Sequence, residues 1–439
     1  MKLHWQILVA LGLGAKRNWH IFIALIAGIL CGLMFPATEH LTTVHHVLWF
    51  IGQTFIRLIQ MIVIPLVVSA IIVGIASLGD SRQLSKIGLR MLLYFTLVSV
   101  IAVVIGATLA LTIHPGNGIQ QFINPQQAVG LQHQVLALQH DKSNLAREFL
   151  NFIPGIDSIA KGNLVSILLF VIIFGCALAL IGEINRPVVS FFESVFAATM
   201  KITDWVMVAA TPGIFALTAY GVAKSGLKGF WDIRWYILTL VAGLLIQLLI
   251  TYPTMLRVFS KVKTSSLYQA IAEAMMVAFG TASGSATLPV TIACCERRAG
   301  ISSKICSFVL PLGATMTMDA TAMFQTIAVI SLTQAYGIHL DPFMILQICV
   351  LAIVGSSASG GIPSGGWITI IVILNGIGLT LDQVGQGFTF LFAVDRILDM
   401  FRTMVNVTSD TVVASIIADN QGELDFDLLG NQEVWKEVV

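Results

Sequence analysis

What most limits the fold of this chain is the length of its apolar runs. Residues 91–113 carry no charged side chain, and apolar stretches cover about 20–36, 47–78, 87–113, 163–182, 196–223 and 231–256. A helix of about 20 apolar residues crosses the hydrocarbon layer of a bilayer. Inside that layer the backbone has no water to bond, so a spanning segment must be a helix or part of a closed barrel. Runs this long select the helix. Composition agrees: 56% of residues are hydrophobic and only 11% charged, where a soluble domain carries about 25% charged. A formal net charge of +1 supplies no basic face for nucleic acid. The expected class is an all-α, multi-pass integral membrane protein in the lipid of the cell membrane (inner or plasma).

The 20–36 run is short and ends at Pro36, whereas 47–78 is long enough to tilt or project beyond the lipid. Basic residues set the orientation through the positive-inside rule. With both termini cytoplasmic, most Lys and Arg, including Arg82, Arg90, Arg257, Lys261, Arg297 and Arg298, fall inside. Residues 1–19 read as a short cytoplasmic or interfacial segment with no cleavable signal peptide. Residues 114–160, rich in Gln, His, Asn and Pro, read as a long outer connection. The polar, acidic stretch after Asp419 reads as a solvated end. Six scattered cysteines form no CxxC pair and are expected to act as small buried hydrophobes.

Beyond residue 260 the apolar runs, at 270–293, 305–332, 343–378 and 384–418, are interrupted. FGTASGSATLPVT at 279–291 and GSSASGGIPSGGW at 355–367 put Gly, Ser and Pro inside otherwise apolar segments. Gly and Pro weaken helices and free backbone groups. Irregular backbone at membrane depth survives only where protein buries it or where it lines a cavity. A pair of kinked helices with small-residue packing faces is the plainer alternative. Two such segments, each followed by a helix with a buried acid, instead predict two re-entrant helical hairpins in an inverted repeat. The acids are Asp319 and the stripe ending at Asp410.

That stripe lies in LFAVDRILDMFRTMVNVTSDTVVASIIA. At 100° per residue, with Asp395 at zero, Asp399 falls at about 40°, Arg402 at about −20°, Asn406 at about 20° and Asp410 at about 60°. Thr403 sits at the edge, at about 80°. Each charge inside the membrane costs about 2.5–3.5 kcal/mol on the insertion scale, so each needs a partner or a wet cavity. Asp399 and Arg402 can neutralise each other at i and i+3, but no base follows Asp410. Lone acids beside unwound backbone, Asp410 and Asp319, suit a hard cation with oxygen ligands. Arg402 can hold a carboxylate in two parallel hydrogen bonds, and Asp399 can hold an ammonium. A substrate with both groups and a second carboxylate is an acidic amino acid.

The motifs SGSATLP, GATMTMDATA, GGIPSGG and DRILDMFRTMVNVTSD resemble signatures of the dicarboxylate/amino acid:cation symporters, the glutamate transporter family. The resemblance runs from Phe55 to about Asp419. It implies a homotrimer of chains with eight transmembrane helices and two re-entrant hairpins, working as an elevator. The divisions expected are a cytoplasmic segment 1–19, scaffold helices 1–2 over 20–80, transport-domain helix 3 over 81–114, and scaffold helices 4–5 with the outer connection over 115–228. The rest of the transport domain follows over 229–419 and a cytoplasmic tail over 420–439. The resemblance assigns substrate contacts to Asp399, Arg402, Thr403, Asn406 and Thr321, to Ala282, Ser283 and Gly284 of the first hairpin, and to Ile362 and Gly366 of the second. Na+ is the implied coupling ion. One sodium would use Asp410 with Gly313, Thr317 and Asn406, and a second Thr315, Ser356, Ser357 and Ser359. Asp319 belongs to a third.

The chain departs from the family pattern in three places. A triple serine is Ser283-Gly284-Ser285, the Asn of an Asn-Met-Asp motif is Thr317, and a Tyr, Thr and Ser on helix 3 are Phe95, Val98 and Ser99. The expectation is a third sodium site lost or altered, with Asp319 carrying H+ instead. The rival readings are a C4-dicarboxylate carrier, in which Asp399 repels the substrate, and a neutral amino acid carrier, in which Arg402 has nothing to pair with. An ion channel is the alternative of another class. A serine hydrolase built on Ser283, Ser285 or Ser357 lacks a membrane-embedded His as base, so no enzyme is expected.

Overall fold

In a computed structural model of the chain, the described residues are 23–24, 26–35, 42–76, 82–120, 123, 128–132, 164–225, 233–316, 318–359 and 365–430. The expected segment 1–19, most of the outer connection, and residues 431–439 lie outside them. Among the described residues there is no strand; one isolated antiparallel bridge joins Ile301 and Leu424.

After helical residues at 23–24 and 26–34 come α1 (Thr42–Ala76), α2 (Arg82–Ile113), α3 (Leu164–Leu180), α4 (Arg186–Val208) and α5 (Ala210–Ser225). At 1.5 Å per residue α1 is about 52 Å long, so it exceeds the roughly 30 Å hydrocarbon layer, as its apolar run implied. The single span expected at 196–223 is instead two helices, α4 and α5, joined at Ala209. Apolar content does not register such a break, because residues on both sides are equally lipid-compatible. Helix α6 runs continuously over Arg234–Phe259 and contains a π-turn at Gln247–Thr251.

The remaining helices come in pairs. A hairpin, α7 (Ala272–Thr281) and α8 (Gly284–Arg297), turns within two residues. Ala282 takes a left-handed φ of 49°, Ser283 is extended, and the Ser283 hydroxyl accepts from the Ala286 amide at 3.3 Å as an N-cap. The left-handed step costs a non-Gly residue about 1–2 kcal/mol. Surrounding packing holds it: Ala282 is buried. Next, α9 (Ser303–Met316) and α10 (Asp319–Ala335) are two halves of one interrupted helix. Then α11 (Pro342–Ser357), capped by Asp341 accepting from the Met344 amide at 2.7 Å, pairs with α12 (Gly365–Gly376). Last comes α13 (Leu381–Gln421), which starts in a Thr380–Gln383 capping box and ends at Gly422 with φ 69°.

Packing divides these elements. Helix α1 lies against α3, α4 and α5. Helix α10 is the hub of the other group, packed against α2, α6, α11, α12 and α13, while the α7–α8 hairpin lies on α13 and α9. The hub is buried almost throughout, which explains how Thr, Ser and Gln residues on it lie inside apolar surroundings: their side chains bond back to the helix or across it. The groups meet where α12 touches α1 and α3, where α9 and α11 touch α1, and where α13 touches α5.

The stretch after Asp419 is largely exposed over its described part, as expected, but it is also docked. The Ser302 amide donates to Glu423 O at 3.1 Å, and the Asp425 amide to Gly300 O at 2.8 Å. Gly300 has φ 70°, and a Cβ there would come within 2.3 Å of Asp425 O. Leu429 is buried. The short helix Phe426–Gly430 rests on Thr264–Ala270 at the entry to the hairpin. Charge and polarity of the segment concealed this because the docking uses backbone groups and one leucine.

Candidate functional site

Helix ends converge on the middle of α13. Gly284 at the start of α8, Gly313 and Ala314 near the end of α9, Met318 and Thr321 at the start of α10, Ser359 after α11 and Gly366 at the start of α12 surround a cavity of about 20 Å³, roughly the space that one water occupies. From α13 come Asp399, Thr403, Asn406, Val407 and Asp410. Helix N-termini present unpaired N–H groups and C-termini unpaired carbonyls. The meeting of α8, α10 and α12 starts with α9 and α11 ends therefore offers both anion and cation contacts around one space.

Arg402 is the buried cation of the site. Its Nη1 donates to Asp395 Oδ1 at 2.5 Å and its Nη2 to Asp395 Oδ2 at 3.3 Å, while Nη2 also reaches Asp399 Oδ1 at 2.8 Å. The guanidinium stands over the Phe324 ring, with Cζ 3.6 Å from the centroid. Asp395, to which the resemblance assigns no substrate contact, is a two-oxygen partner of Arg402, two turns away on the same face. Arg396, absent from the expected stripe, is buried and donates to Asp399 Oδ2 at 3.4 Å. It sits about 60° from Asp399 on the helical wheel, outside the narrow stripe but on the same edge as Thr403. The Thr403 hydroxyl bonds to Asp399 O at 2.8 Å, within its own helix.

Phe324 begins an aromatic chain. It meets Trp367 of α12 at 5.1 Å between centroids, Trp367 meets Phe388 at 4.7 Å and Phe392 at 5.5 Å, and Phe392 meets Phe55 of α1 at 5.6 Å. Edge-to-face contacts of this kind add about 0.5–1.5 kcal/mol each beyond their burial.

Asn406 ties α13 to the interrupted helix. Its Oδ1 accepts from the Ala320 amide at 3.0 Å, and its Nδ2 donates to Thr321 Oγ1 at 3.0 Å. Gly366 packs onto the same place: a Cβ there would lie 2.9 Å from Thr321 Cγ2 and 3.1 Å from the Phe324 ring. Gly284 differs, since a Cβ would meet only Ala314 O at 3.7 Å. The serine missing from the first hairpin therefore leaves unfilled room.

The two lone acids have different surroundings. Asp410 is buried, its Oδ1 has no hydrogen-bond partner among the described residues, and a Cβ on Gly313 would lie 2.5 Å from that oxygen. A side chain at 313 is therefore excluded, and the carboxylate faces backbone across the gap. An orphaned buried carboxylate beside close backbone fits a hard cation. Asp319 also has an Oδ1 without a hydrogen-bond partner among the described residues, but its Oδ2 is met by donors, Gln247 Nε2 at 2.6 Å and the Tyr252 hydroxyl at 2.7 Å. The π-turn of α6 places them: Gln247 opens it and Tyr252 follows its last residue. A π-turn in an apolar helix leaves no composition signal, which is why these partners were not legible.

The other expected residues divide as follows. Ser356, Ser357 and Ser359 lie at the end of α11, with hydroxyls bonded back to Ile353 O at 2.8 and 3.3 Å and to Gly355 O at 3.3 Å. Thr315 is next to last in α9. Gln325 of α10 links it to α12, donating to Gly366 O at 3.2 Å and to Thr369 Oγ1. Thr317 and Ile362 lie outside the described residues.

A bundle of helices long and apolar enough to cross a membrane, with paired charges and helix ends buried around one cavity, defines a membrane transporter. The chain belongs to the sodium:dicarboxylate symporter family, whose profile matches residues 18–420. It is similar to the proton/sodium-glutamate symport protein of Bacillus subtilis (strain 168), 32% identical over 92% of each chain. It is similar also to the proton/glutamate-aspartate symporter of Escherichia coli (strain K12), 31% identical over 93% of each. Excitatory amino acid transporter 3 of Oryctolagus cuniculus is 28% identical over 92% of this chain and 85% of its own.

Proposed function

We propose that this chain is a secondary active transporter that imports L-aspartate or L-glutamate by symport with Na+ and H+. The observation that carries the reading is Arg402 beside Asp399, cation and anion 2.8 Å apart, with Asp399 lining the cavity and Arg402 directly behind it. An acidic amino acid offers a carboxylate to the first and an ammonium to the second. Thr403, Asn406 and Thr321 are placed to add polar contacts, and the N-termini of α8 and α12, with Ser283, Gly284 and Gly366, to add backbone ones. The relatives named for glutamate and aspartate symport support the same substrate class.

Binding replaces contacts within the protein by contacts to substrate. The substrate carboxylate takes guanidinium donors that Asp395 and Asp399 share, and the ammonium takes the Asp399 oxygen so released. Na+ is carried as co-substrate. Asp410, with carbonyls of Gly313, Thr317 and Asn406, is assigned one ion; carbonyls of Thr315, Ser356, Ser357 and Ser359, at the ends of α9 and α11, a second. The two donors on Asp319 Oδ2 present hydrogens where a metal would need lone pairs. What supports the reading that Asp319 carries a proton in place of a third sodium is the loss of oxygen ligands on α2, where Phe95 and Val98 stand in the family's Tyr and Thr positions.

In this reading the α7–α8 and α11–α12 pairs are re-entrant hairpins of an inverted repeat within an eight-helix plan. Helices α1, α3, α4 and α5 then belong to the scaffold of a homotrimer in the cell membrane, with cytoplasmic termini. The group around α10 moves as the elevator, and the α11–α12 hairpin is the gate. The separate packing of α1 with α3–α5 supports that division.

The test is uptake of labelled aspartate into proteoliposomes under an imposed sodium gradient, an imposed proton gradient, and both. Concentrative uptake driven by sodium is expected. Downhill flux alone under every gradient would point to a channel.

A further inference from the structure

We propose that Arg396 is a positioning residue that sets the charge preference of the substrate site by holding Asp399 through its second oxygen. The inference rests on the acidic amino acid reading above. Asp399 is divided between two guanidinium groups: Oδ1 receives Arg402 Nη2 at 2.8 Å and Oδ2 receives Arg396 Nη1 at 3.4 Å. All four charged residues of this part of α13, Asp395, Arg396, Asp399 and Arg402, are buried. Asp399 lines the cavity and neither guanidinium does; Arg396 sits on the oxygen of Asp399 opposite the one Arg402 takes, so Arg396 acts on substrate through Asp399.

The charge balance gives Arg396 its effect. Two Asp and two Arg sum to zero. An acidic amino acid, with one ammonium and two carboxylates, brings a net charge of −1 at neutral pH. Without Arg396 the cluster itself is −1, and substrate must enter against like charge in a setting where water and salt screen little. The loss also redirects Asp399. With Arg396 gone from Oδ2, both oxygens of Asp399 are free for Arg402 and the repulsion between the two guanidiniums is lost, so Asp399 draws Arg402 away from the substrate carboxylate. A neutral amino acid needs Asp399 for its ammonium and makes no claim on Arg402. Arg396 therefore favours acidic over neutral amino acids, rather than supporting binding in general.

The experiment compares KM for L-aspartate uptake with the inhibition constant of L-asparagine, in proteoliposomes holding the full-length wild type, Arg396→Met, Arg396→Gln or Arg396→Lys. Asparagine keeps the shape of aspartate and loses its side-chain charge. For the Met and Gln variants the expected result is a KM for aspartate raised at least about tenfold, with asparagine inhibition unchanged or stronger. Arg396→Lys keeps the charge and is expected to hold the aspartate-to-asparagine ratio within about threefold of wild type. If both neutral variants leave that ratio unchanged, whatever happens to maximal rate, Arg396 is merely structural and the inference is overturned. Wild-type protein that fails to accumulate aspartate overturns the functional reading and this inference together; an unchanged ratio overturns only the inference.

Discussion

Asp395 closes both carboxylate oxygens on the guanidinium of Arg402, at 2.5 and 3.3 Å, from two turns away on one helix. The pair is buried and bidentate, so removing one partner strands a charge, which typically costs about 3–5 kcal/mol. Asp395→Asn is expected to lower the melting temperature and leave Arg402 to Asp399 alone. The KM for aspartate should then rise about tenfold or more. Thermal melts with uptake kinetics check both parts; an unchanged KM would show that Asp395 does not orient Arg402 for substrate.

Asp410 is buried, and its Oδ1 lacks a hydrogen-bond partner among the described residues. Asp410→Asn removes the only full charge from its proposed cation site, and half-saturation by Na+ is expected to move up by at least about tenfold. Sodium titration of uptake at fixed aspartate measures this. A sodium curve identical to wild type would reassign Asp410.

For Asp319 the expected outcome is a change in the driving ion. Asp319→Asn should leave sodium-driven uptake measurable while acceleration by an inward proton gradient disappears. Tyr252→Phe, which removes one donor from Oδ2, should weaken the same response. Proton-gradient stimulation that persists in Asp319→Asn would place the proton elsewhere.

Two glycines at the cavity should behave oppositely. Gly366→Ala forces a methyl to within 2.9 Å of Thr321 Cγ2, and overpacking of this kind costs about 1–3 kcal/mol. Substrate affinity should fall as the start of α12 is pushed off α10. Gly284→Ser meets only Ala314 O at 3.7 Å and should fold and transport with affinity equal to wild type or better. Direct binding measurements on the two variants would decide, and equal losses would show that the free space at Gly284 is needed.

The helical class and the helix pairs beyond residue 260 were legible because lipid removes alternatives: apolar length fixes helices, and Gly, Ser and Pro inside such a run mark where backbone is released. Asp399, Arg402 and Asp410 were legible for the same reason, since a charge in that setting stands out by its cost, and Asn406 because it falls on the same helical stripe. What stayed hidden depends on geometry at constant polarity. Gln247 and Tyr252 reach Asp319 through a π-turn that changes phase without changing composition. Arg396 falls outside a stripe drawn at ideal helical spacing, yet its long side chain returns to Asp399. The docking of 423–429 onto 300–302 uses backbone groups, which carry no residue signature.

The aromatic chain under Arg402 gives the protein an optical handle of its own. Trp367 is fully buried, whereas Trp49, Trp205 and Trp235 are well exposed. Trp367 stands one ring away from the face that carries the guanidinium. Indole emission shifts with nearby charge, so a redistribution of Arg402 between carboxylates of the protein and of the substrate reaches Trp367 through Phe324. Filling of the site should be visible as a change in intrinsic fluorescence, without label and without transport, and Trp367→Phe should silence it.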